Sequence, residues 1–463
     1  MTELALAPGV LSRLAIEAPR YTSYPTAVDF SSDFDAAAYA DRLAAAAAVG
    51  PATPLGLYVH LPFCRELCGF CGCHALVAHS GGRIERYLDA LELEMDLVAA
   101  HLPRRRDVAE LHLGGGSPSL LTPAQTGRLF VALHRHFRVS RSAAVSVEVD
   151  PRTVDRAKLE MYRACGVRRI SMGFQDLDPV VQEAIGRHQS LEASVTAYQE
   201  ARRAGFDGIN VDLCYGLPRQ TEATFEDTLG RVIDLAPDRI AIFGYAHVPW
   251  LKPLQRRIDT GALPGSDLRV RLISRCRERL IAAGYRAIGM DHFALPGDSL
   301  SRALDQRRLH RNFQGYTDAV TTDLVGLGLS AVGDVAGAFV QNQRSLGAYS
   351  DALSSGRLAT ERGVRRTSDD ELRAYIIRRI MCDFSLDEED VSARFGIDFA
   401  SAFARELVEL EGLAAEGLVQ RGGGRLTLQP IGRIFVRNVA AVFDARRRTR
   451  TAAAQPARLS KTV

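Results

Sequence analysis

The sequence predicts an α/β fold: a partial (β/α) barrel with an N-terminal extension and a small, mainly helical C-terminal domain. Short apolar runs typical of buried strands alternate with amphipathic stretches typical of helices. Several helical stretches end in glycine, at Gly166, Gly205 and Gly284, where helices commonly adopt a left-handed C-cap. After about residue 365 the alternation stops and helical patterns dominate.

Seven apolar runs are the candidate strands of the barrel: residues 55–61, 109–115, 144–150, 168–174, 208–216, 239–246 and 285–291. Helices are predicted between them at 86–102, 153–166, 190–205 and 224–236. Repeated strand–helix units form a parallel sheet, and this number of units favours a barrel over a small open sheet. Polar residues, glycines and cysteines follow the strand ends, where barrels place their chemistry. We therefore expect one functional rim.

The predicted domain organisation has four parts. Residues 1–50 form an extension that contacts the barrel and the substrate, and residues 51–365 form the barrel. Within the extension, the aromatic and proline-punctuated segment 19–30 is expected to lie against the barrel. Residues 366–445 form a helical domain whose order of elements resembles a winged helix, and residues 446–463 have the composition of a disordered basic tail.

The charge of the chain is concentrated in that tail. The chain has 463 residues, 46% of them hydrophobic, and a formal net charge of +3. Residues 446–463 contain six basic side chains and no acidic one, and without them the chain has 52 basic and 55 acidic residues. A nucleic-acid-binding domain usually carries a basic face. We therefore expect no nucleic-acid partner, although the helical domain with its tail keeps that class of function as an alternative.

The N-terminus and the cysteines indicate the compartment. The first residues have neither a basic region nor a long apolar core, so they do not resemble a secretory signal. The apolar stretch 43–64 is interrupted by glycines and prolines, which are incompatible with a membrane-spanning helix. Four of the eight cysteines lie between Cys64 and Cys73, which is typical of metal binding in a reducing compartment. We expect a cytoplasmic protein with no membrane partner.

The crowded cysteines Cys64, Cys68, Cys71 and Cys73 allow three interpretations. A structural zinc site would normally use two well-separated pairs. A four-cysteine electron-transfer cluster would need both Cys71 and Cys73, which are close for ligands of one cluster. In the third interpretation, C-x3-C-x2-C holds three irons of one [4Fe–4S] cluster and leaves the fourth iron open to bind S-adenosylmethionine. Reductive cleavage of that molecule yields a 5′-deoxyadenosyl radical, which abstracts unactivated hydrogen.

The C-x3-C-x2-C motif directly after a first barrel strand resembles the signature of the radical S-adenosylmethionine (SAM) superfamily. The aromatic Phe70 before the third cysteine agrees with it. The run Gly114–Gly116 after the second candidate strand agrees as well, because a backbone without side chains can approach the methionine moiety closely.

Over nearly its whole length the chain resembles the oxygen-independent coproporphyrinogen III oxidase family of heme biosynthesis. The matching segments are PRYTSYPTA, YVHLPFC, LHLGGGSP, SVEVDP, SMGFQD, NVDLCYGLPRQT, RIAIFGYAH, GMDHFALP, HRNFQGYT and DLVGLGLSAVG. The resemblance implies an enzyme that oxidatively decarboxylates two propionates of coproporphyrinogen III to vinyl groups, giving protoporphyrinogen IX. It also implies a monomer, with an electron donor and an electron acceptor that the sequence does not identify.

The same resemblance implies roles for individual residues. One [4Fe–4S] cluster is held by Cys64, Cys68 and Cys71, while Cys73 is a fourth, non-ligand cysteine required for activity. Two S-adenosylmethionine molecules bind. The cluster-bound one contacts Tyr58, Gly115, Glu148 and Val332, and the second contacts Phe70, Gly116, Ser117, Gln175, Arg187, Asp212 and Ala246. Cys73, Tyr58 and Gln314 form the catalytic set, with Gln314 and the Arg20–Tyr21 region as substrate neighbours.

Three positions depart from the family pattern. His74 follows Cys73 where asparagine is common, Ser117 stands where threonine is common, and Gly244 stands where asparagine is common. Ser117 keeps the hydroxyl, whereas His74 offers an additional ligand near the cluster and Gly244 loosens a strand end. The alternative within the superfamily is a heme-chaperone relative without oxidase activity. That relative typically lacks the fourth cysteine and the PRYTSYPT segment, and both are present here.

Overall fold

The structure is a computed structural model that describes residues 10–78, 81–318, 321–452 and 459–462. The fold divides into two compact units. The first unit comprises Phe30–Asp212 and Ala319–Arg366, and the second unit comprises Met1–Asp29, Leu213–Asp318 and Thr367–Val463. This division differs from the predicted one, because residues 213–318 group with both chain ends and not with the rest of the predicted barrel.

The strands in chain order are β1 Leu55–Leu61, β2 Phe63–Cys64, β3 Leu76–Val77, β4 Asp107–Gly115, β5 Arg138–Val149, β6 Arg169–Gln175, β7 Gly208–Tyr215, β8 Arg239–Gly244, β9 Arg286–Ile288, β10 His292–Ala294, β11 His310–Asn312, β12 Gly315–Thr317, β13 Leu324–Leu327, β14 Val332–Val335, β15 Ala338–Asn342, β16 Thr360–Arg365, β17 Ser385–Asp387, β18 Val419–Gly422 and β19 Arg425–Leu428.

The α-helices are α1 Val10–Leu14, α2 Ala36–Ala48, α3 Gly81–His101, α4 Pro123–His136, α5 Arg156–Ala164, α6 Pro179–Ile185, α7 Leu191–Arg203, α8 Glu222–Leu235, α9 Ser266–Ala282, α10 Ser299–Asp305, α11 Leu346–Ser354, α12 Ser368–Asp383, α13 Glu388–Phe395, α14 Phe399–Ala402, α15 Ala404–Ala415, α16 Pro430–Ile434, α17 Val436–Val442 and α18 Ala445–Ala452.

The first unit contains the predicted parallel sheet. Its strands lie in the order β16-β15-β14-β13-β1-β4-β5-β6-β7. The pairs β13–β1, β1–β4, β4–β5 and β5–β6 are parallel, which confirms the α/β class of the prediction. The strands from β13 to β16 pair antiparallel and extend the sheet beyond β1. Sequence patterning did not predict this extension.

The alternation of side chains along these strands creates a polar face. The register pairs Tyr58 with His112 and His112 with Ser146. Glu148 pairs with Ser171 on the next strand. Because successive side chains on a strand point to opposite faces, these residues share one face of the sheet. The other face is apolar and includes Leu57, Val59, Leu111, Leu113, Val145, Val147, Ile170 and Met172, each at most 3% exposed. The sheet therefore presents polar groups from four adjacent strands to one side.

The second unit contains the remaining predicted strands and the helical region. In it β8 pairs antiparallel with β10, and β10 pairs antiparallel with β9. The prediction of a seventh continuous strand at 285–291 is therefore wrong in detail, because Gly289 has a φ of +54° and the chain turns back there. Residues 368–442 are mainly helical, as predicted, with the small antiparallel sheet β17-β19-β18.

The end of the chain differs from the predicted disordered tail. Residues 445–452 form α18, and its arginines meet carboxylates of distant segments. Arg446 pairs with Asp370, and Arg450 pairs with Asp444 at 2.6 Å. The backbone of Thr462 donates to the carbonyl of Ile16. Composition predicts disorder because 446–463 contains no acid, but the acids that neutralise it lie elsewhere in the unit. Residues 453–458 and Val463 lie outside the described residues, as do residues 1–9 of the predicted extension.

A buried carboxylate, Glu94 of α3, links three segments of the first unit. It accepts hydrogen bonds from the backbone of Gly328 and the hydroxyl of Tyr349, both at 2.6 Å, and from the amide of Asn342. Burial raises the pKa of Glu94 to about 7. The folded protein therefore holds a proton there between the ordinary pKa of 4.5 and about 7, and this contribution to stability is lost as the pH rises through about 7.

We expect Glu94→Ala to lower the free energy of unfolding by about 3–5 kcal/mol, because it leaves three buried donors without their acceptor. Glu92→Ala is the matched control on the same helix. Glu92 is partly exposed and paired with Arg128, so its loss should cost less than about 1 kcal/mol. Urea unfolding monitored by circular dichroism measures both. Equal effects of the two substitutions would contradict the role of the buried network.

Within the described residues, the structure has no helix that is both long and apolar enough to cross a membrane.

Candidate functional site

The four crowded cysteines lie in a loop that a short parallel ladder closes. We call residues 64–73 the cysteine loop. β2 pairs with β3, so that Cys64 lies opposite Val77 at the base of the loop. The backbone of Gly69 donates to the carbonyl of Ile185 at 2.7 Å and holds the tip of the loop. Cys68 is buried, and Cys73 is exposed.

The three predicted iron ligands are mutual neighbours. Burial, together with the thiols of Cys71 and Cys68, raises the pKa of Cys64 to about 12. Soft thiolates on one short loop are the donor set that iron–sulfur clusters use. Among the described residues, no three His, Cys, Asp or Glu side chains are arranged to hold a single metal ion. The arrangement therefore fits a multi-iron cluster better than the zinc alternative.

The glycine run Gly114–Gly116 lies directly against the base of the cysteine loop. The backbone of Gly116 donates to the carbonyl of Leu61 at 2.9 Å. Gly115 has a φ of +114°, and a Cβ there would lie 2.7 Å from the His60 ring. At Gly116 a Cβ would lie 2.8 Å from the carbonyl oxygen of Phe63. The space beside the backbone is therefore filled, and only glycine fits this approach.

Glu148 is held beside the glycine run as an ionised carboxylate. It accepts hydrogen bonds from the backbone of Gly115 at 3.1 Å and from His112 Nε2 at 3.2 Å. Although burial opposes ionisation, these two donors keep the pKa of Glu148 below its usual value. His112 receives support from Ser146, 2.7 Å from its Nδ1, and stacks on Tyr58. A fixed carboxylate acceptor on the polar face is thus ready for a hydroxyl-bearing ligand.

Tyr58 and His60 form a chain to the cysteine loop. The carbonyl of His74 can only accept, so His60 Nε2, 2.9 Å away, is the donor. In neutral His60 the other ring nitrogen then accepts from the Tyr58 hydroxyl at 2.8 Å. The backbone of His74 makes this contact, and any residue at position 74 supplies a carbonyl. The departure from asparagine at this position therefore leaves the His60 hydrogen bond intact.

An ionic group covers Cys68 from the other side. Arg187 Nη1 lies 3.5 Å from Cys68 Sγ, and its Nη2 lies 3.3 Å from Asp150 and donates to the carbonyl of Gly173. Arg152 also pairs with Asp150, at 2.7 Å. Although burial opposes ionisation, these two arginines lower the pKa of Asp150. Arg187 thus lies where the sequence prediction needs it, already oriented by Asp150.

The other predicted residues of the first unit lie at its strand ends. The buried Ser117 donates its backbone N–H to Phe63 and lies 3.0 Å, hydroxyl to hydroxyl, from Ser119. Gln175 ends β6 with a φ of +68°. Asp212 accepts from Ser171 at 2.8 Å and from Asn210 at 2.6 Å. Phe70 and Val332 are half-buried, in the cysteine loop and in β14.

Two predicted residues belong to the second unit. The carbonyl of Ala246 accepts from the Gln255 amide at 3.2 Å, and Gln314 lies in the hairpin between β11 and β12. At Gly244 a Cβ would lie 2.9 Å from the Tyr215 hydroxyl, so the Tyr215 ring occupies the space that an asparagine side chain would need.

Sequence reasoning missed four residues of the site. His60, His112 and Ser146 support Tyr58 and Glu148, and Arg152 neutralises Asp150 beside Cys68. The available signal was the period of two along the strands, which puts Tyr58 and His60, and Ser146 and Glu148, on the same faces. Arg152 follows a strand end by two residues and carried no comparable signal.

Comparisons with known proteins agree with this geometry. The model of the Radical SAM superfamily matches residues 58–232, and the model of the HemN C-terminal domain matches residues 367–435. The solved structure of coproporphyrinogen III oxidase (HemN) from Escherichia coli, described as a radical SAM enzyme, superposes with a TM-score of 0.87 at 40% identity. The match covers 92% of this chain and 97% of that one. Fold and site together define a protein of the radical SAM class.

Full-length relatives narrow the assignment. The oxygen-independent coproporphyrinogen III oxidase of Bradyrhizobium diazoefficiens is 45% identical over 427 residues, or 92% of this chain and 94% of that protein. The protein of the same name from Pseudomonas aeruginosa is 40% identical over 94% of this chain and 95% of its own length. This chain belongs to the oxygen-independent coproporphyrinogen III oxidase family. Its superfamily implies a [4Fe–4S] cluster and S-adenosylmethionine, which the cysteine loop and the glycine run fit.

Proposed function

We propose that this chain converts coproporphyrinogen III to protoporphyrinogen IX without oxygen. Each of two propionate side chains loses one hydrogen atom, one electron and carbon dioxide and becomes a vinyl group. The observation that carries the proposal is the meeting of the cysteine loop, the glycine run and Glu148 within 3.2 Å hydrogen-bond contacts on the polar face of one sheet. The printed names of the full-length relatives supply the substrate.

The chain's own residues bind and orient the reactants. Cys64, Cys68 and Cys71 would hold the cluster, with the fourth iron open to S-adenosylmethionine. When bound, the cluster and S-adenosylmethionine supply one-electron reductive cleavage and the radical that takes the propionate hydrogen. Tyr58 would face the adenosyl group, with its hydroxyl proton committed to His60. Cys73, exposed beside the three ligands, would act next to the cluster, together with Gln314 at the substrate.

Two S-adenosylmethionine molecules would bind, one for each propionate. Tyr58, Gly115, Glu148 and Val332 would contact the cluster-bound molecule. The second would contact Phe70, Gly116, Ser117, Gln175, Arg187, Asp212 and Ala246. The carboxylates of Glu148 and Asp212 are each held by two hydrogen-bond donors, and a fixed carboxylate suits the paired hydroxyls of a ribose.

We expect Glu148→Gln to weaken one of the two S-adenosylmethionine sites about 10- to 100-fold, because an amide loses a charged acceptor for ribose hydroxyls. Asp212→Asn should weaken the other site and leave the first. Equilibrium dialysis of the cluster-loaded variants measures the stoichiometry and affinity of each site. A wild-type stoichiometry of one, or loss of the same site in both variants, would contradict the two-site proposal.

The test of the function is an anaerobic assay of the reconstituted protein with dithionite, S-adenosylmethionine and coproporphyrinogen III. We expect two molecules of carbon dioxide for each protoporphyrinogen IX. A cluster-loaded protein that binds porphyrin without releasing carbon dioxide would favour the heme-chaperone alternative. The electron donor and acceptor, the monomeric state, the absence of nucleic-acid and membrane partners and the cytoplasmic location stay predictions.

A further inference from the structure

The second unit contains a cavity of about 630 Å³ whose walls are strongly cationic. Five arginines line it: Arg20 from the N-terminal segment, Arg269 and Arg277 from α9, and Arg433 and Arg437 from α16 and α17. Lys461 lines it as well, and Asp291 is the acidic residue among the lining side chains that the structure describes. This charge excess is local, because the chain as a whole carries only +3.

Three of these arginines are held by backbone carbonyls. Arg437 is 5% exposed and donates to the carbonyls of Pro19 at 3.0 Å and Lys461 at 2.8 Å. Arg269 donates to the carbonyl of Tyr245 at 2.8 Å, and Arg20 donates to that of Gly244. Carbonyl dipoles orient a guanidinium but do not cancel its charge. Burial, and the charge of nearby Arg20, lower the pKa of Arg437 to about 9.

The acid of the cavity is already used. Asp291 lies 3.3 Å from Arg311 and 2.7 Å from His292 Nδ1. Although burial opposes ionisation, Arg311 and His292 hold its pKa well below the usual range. The negative charge of Asp291 is therefore largely balanced by Arg311, which does not line the cavity.

Arg277 and Arg433 form a pair of neighbouring like charges. Both guanidinium groups lie over the ring of Phe384, at 5.9 and 5.3 Å from its centroid. Burial and Arg433 lower the pKa of Arg277 to about 10. Arg433 Nε is buried without a hydrogen-bond partner among the described residues. Burying two such groups side by side is costly unless an anion joins them, and paired guanidinium forks match carboxylates.

The rest of the cavity wall is apolar. Ile242, Ile273, Met290, Phe293 and Ile434 supply a surface with no charge of its own. An apolar body that carries several carboxylates would satisfy both parts of the wall. Tetrapyrroles with propionate side chains have this combination, and the volume is within the usual range of ligand sites.

We propose that this cavity binds propionate carboxylates of the tetrapyrrole, with Arg277 and Arg433 as the principal carboxylate contact. The proposal rests on the proposed function, since it takes its ligand from that reaction. It assigns substrate-positioning residues in the second unit to the arginine pair.

The test compares Arg277→Met/Arg433→Met with Arg275→Met in the cluster-loaded protein. Methionine keeps an unbranched side chain and removes the charge. Arg275 lies on the same helix, exposed and 3.5 Å from Glu278, so its variant controls for the loss of a positive charge from α9. Fluorescence titration with coproporphyrin III, the stable oxidised form, and with its tetramethyl ester measures binding without turnover.

We expect the double variant to bind coproporphyrin III about 100-fold more weakly than the wild type and to bind the ester equally well, while Arg275→Met stays within about twofold. Arg277→Lys/Arg433→Lys, which keeps the charge, should recover part of the affinity and guards against a variant that does not fold. Unchanged affinity of the double methionine variant for the acid, or equal losses for acid and ester, would overturn the proposal.

Two further readings separate this proposal from its neighbours. If the double variant loses S-adenosylmethionine binding but keeps coproporphyrin III binding, the carboxylate that the arginines hold is that of methionine, and the proposal is wrong. If the wild type binds coproporphyrin III through the arginine pair but releases no carbon dioxide, the proposed function fails while the cavity assignment stands.

Discussion

Replacing Cys68 with alanine is expected to remove the cluster and with it all decarboxylation, a loss of more than about 1,000-fold, or about 4 kcal/mol of transition-state stabilisation. Cys68 is the buried cysteine of the loop and lies 3.5 Å from Arg187. With one of three ligands missing, the loop no longer holds a cluster with one open iron. Iron and sulfide content of the anaerobically reconstituted protein and release of carbon dioxide measure the effect.

Two other cysteines serve as controls for this result. Cys165 follows α5, outside the site, and Cys165→Ala should keep both iron and activity. Cys73→Ala should keep the iron content but lose turnover, because Cys73 is proposed as a non-ligand. A Cys68→Ala protein that still releases carbon dioxide would contradict the assignment of this loop. Loss of iron in Cys73→Ala would place Cys73 among the ligands.

Replacing Gly116 with alanine is expected to lower the free energy of unfolding by about 2–4 kcal/mol and to abolish S-adenosylmethionine binding. The new Cβ would lie 2.8 Å from backbone atoms of Pro62 and Phe63, which lead directly into Cys64. Backbone cannot rotate away as a side-chain tip does, so the glycine run and the cysteine loop must separate. Thermal unfolding and equilibrium dialysis of S-adenosylmethionine measure the two effects.

Gly127→Ala is the matched control for this substitution. Gly127 lies inside α4, and a Cβ there meets nothing within 4 Å. Because alanine favours the helix over glycine, the control should gain about 0.5–1 kcal/mol and bind S-adenosylmethionine normally. If Gly116→Ala behaved like Gly127→Ala, the tight approach of the glycine run would not matter for the site.

Much of the parallel sheet could be predicted because its strands carry clear signals. Residues 55–61 were predicted as a strand, and β1 has these bounds. The strands β13–β16 were missed because they are short and almost continuously buried, as in Leu324–Leu327, and such runs lack the alternation that identifies a strand. The helical end of the chain was missed because Arg446 and Arg450 find their acids only after folding.

The candidate site was predicted through its motifs and not through its supporting residues. The cysteine loop and the glycine run carry spacing that sequence shows directly. Contacts such as those of His112 with Glu148, or Arg152 with Asp150, depend on strand register and loop path. The arginine cavity combines three segments that are far apart in the chain, so no local pattern indicated it.

The most direct test of the central claim uses coproporphyrinogen III deuterated at the β-carbons of its propionates, under anaerobic single-turnover conditions. The proposed function predicts that deuterium appears in 5′-deoxyadenosine, with one labelled molecule formed for each carbon dioxide released. Vinyl formation with unlabelled 5′-deoxyadenosine, or carbon dioxide release without 5′-deoxyadenosine, would contradict it.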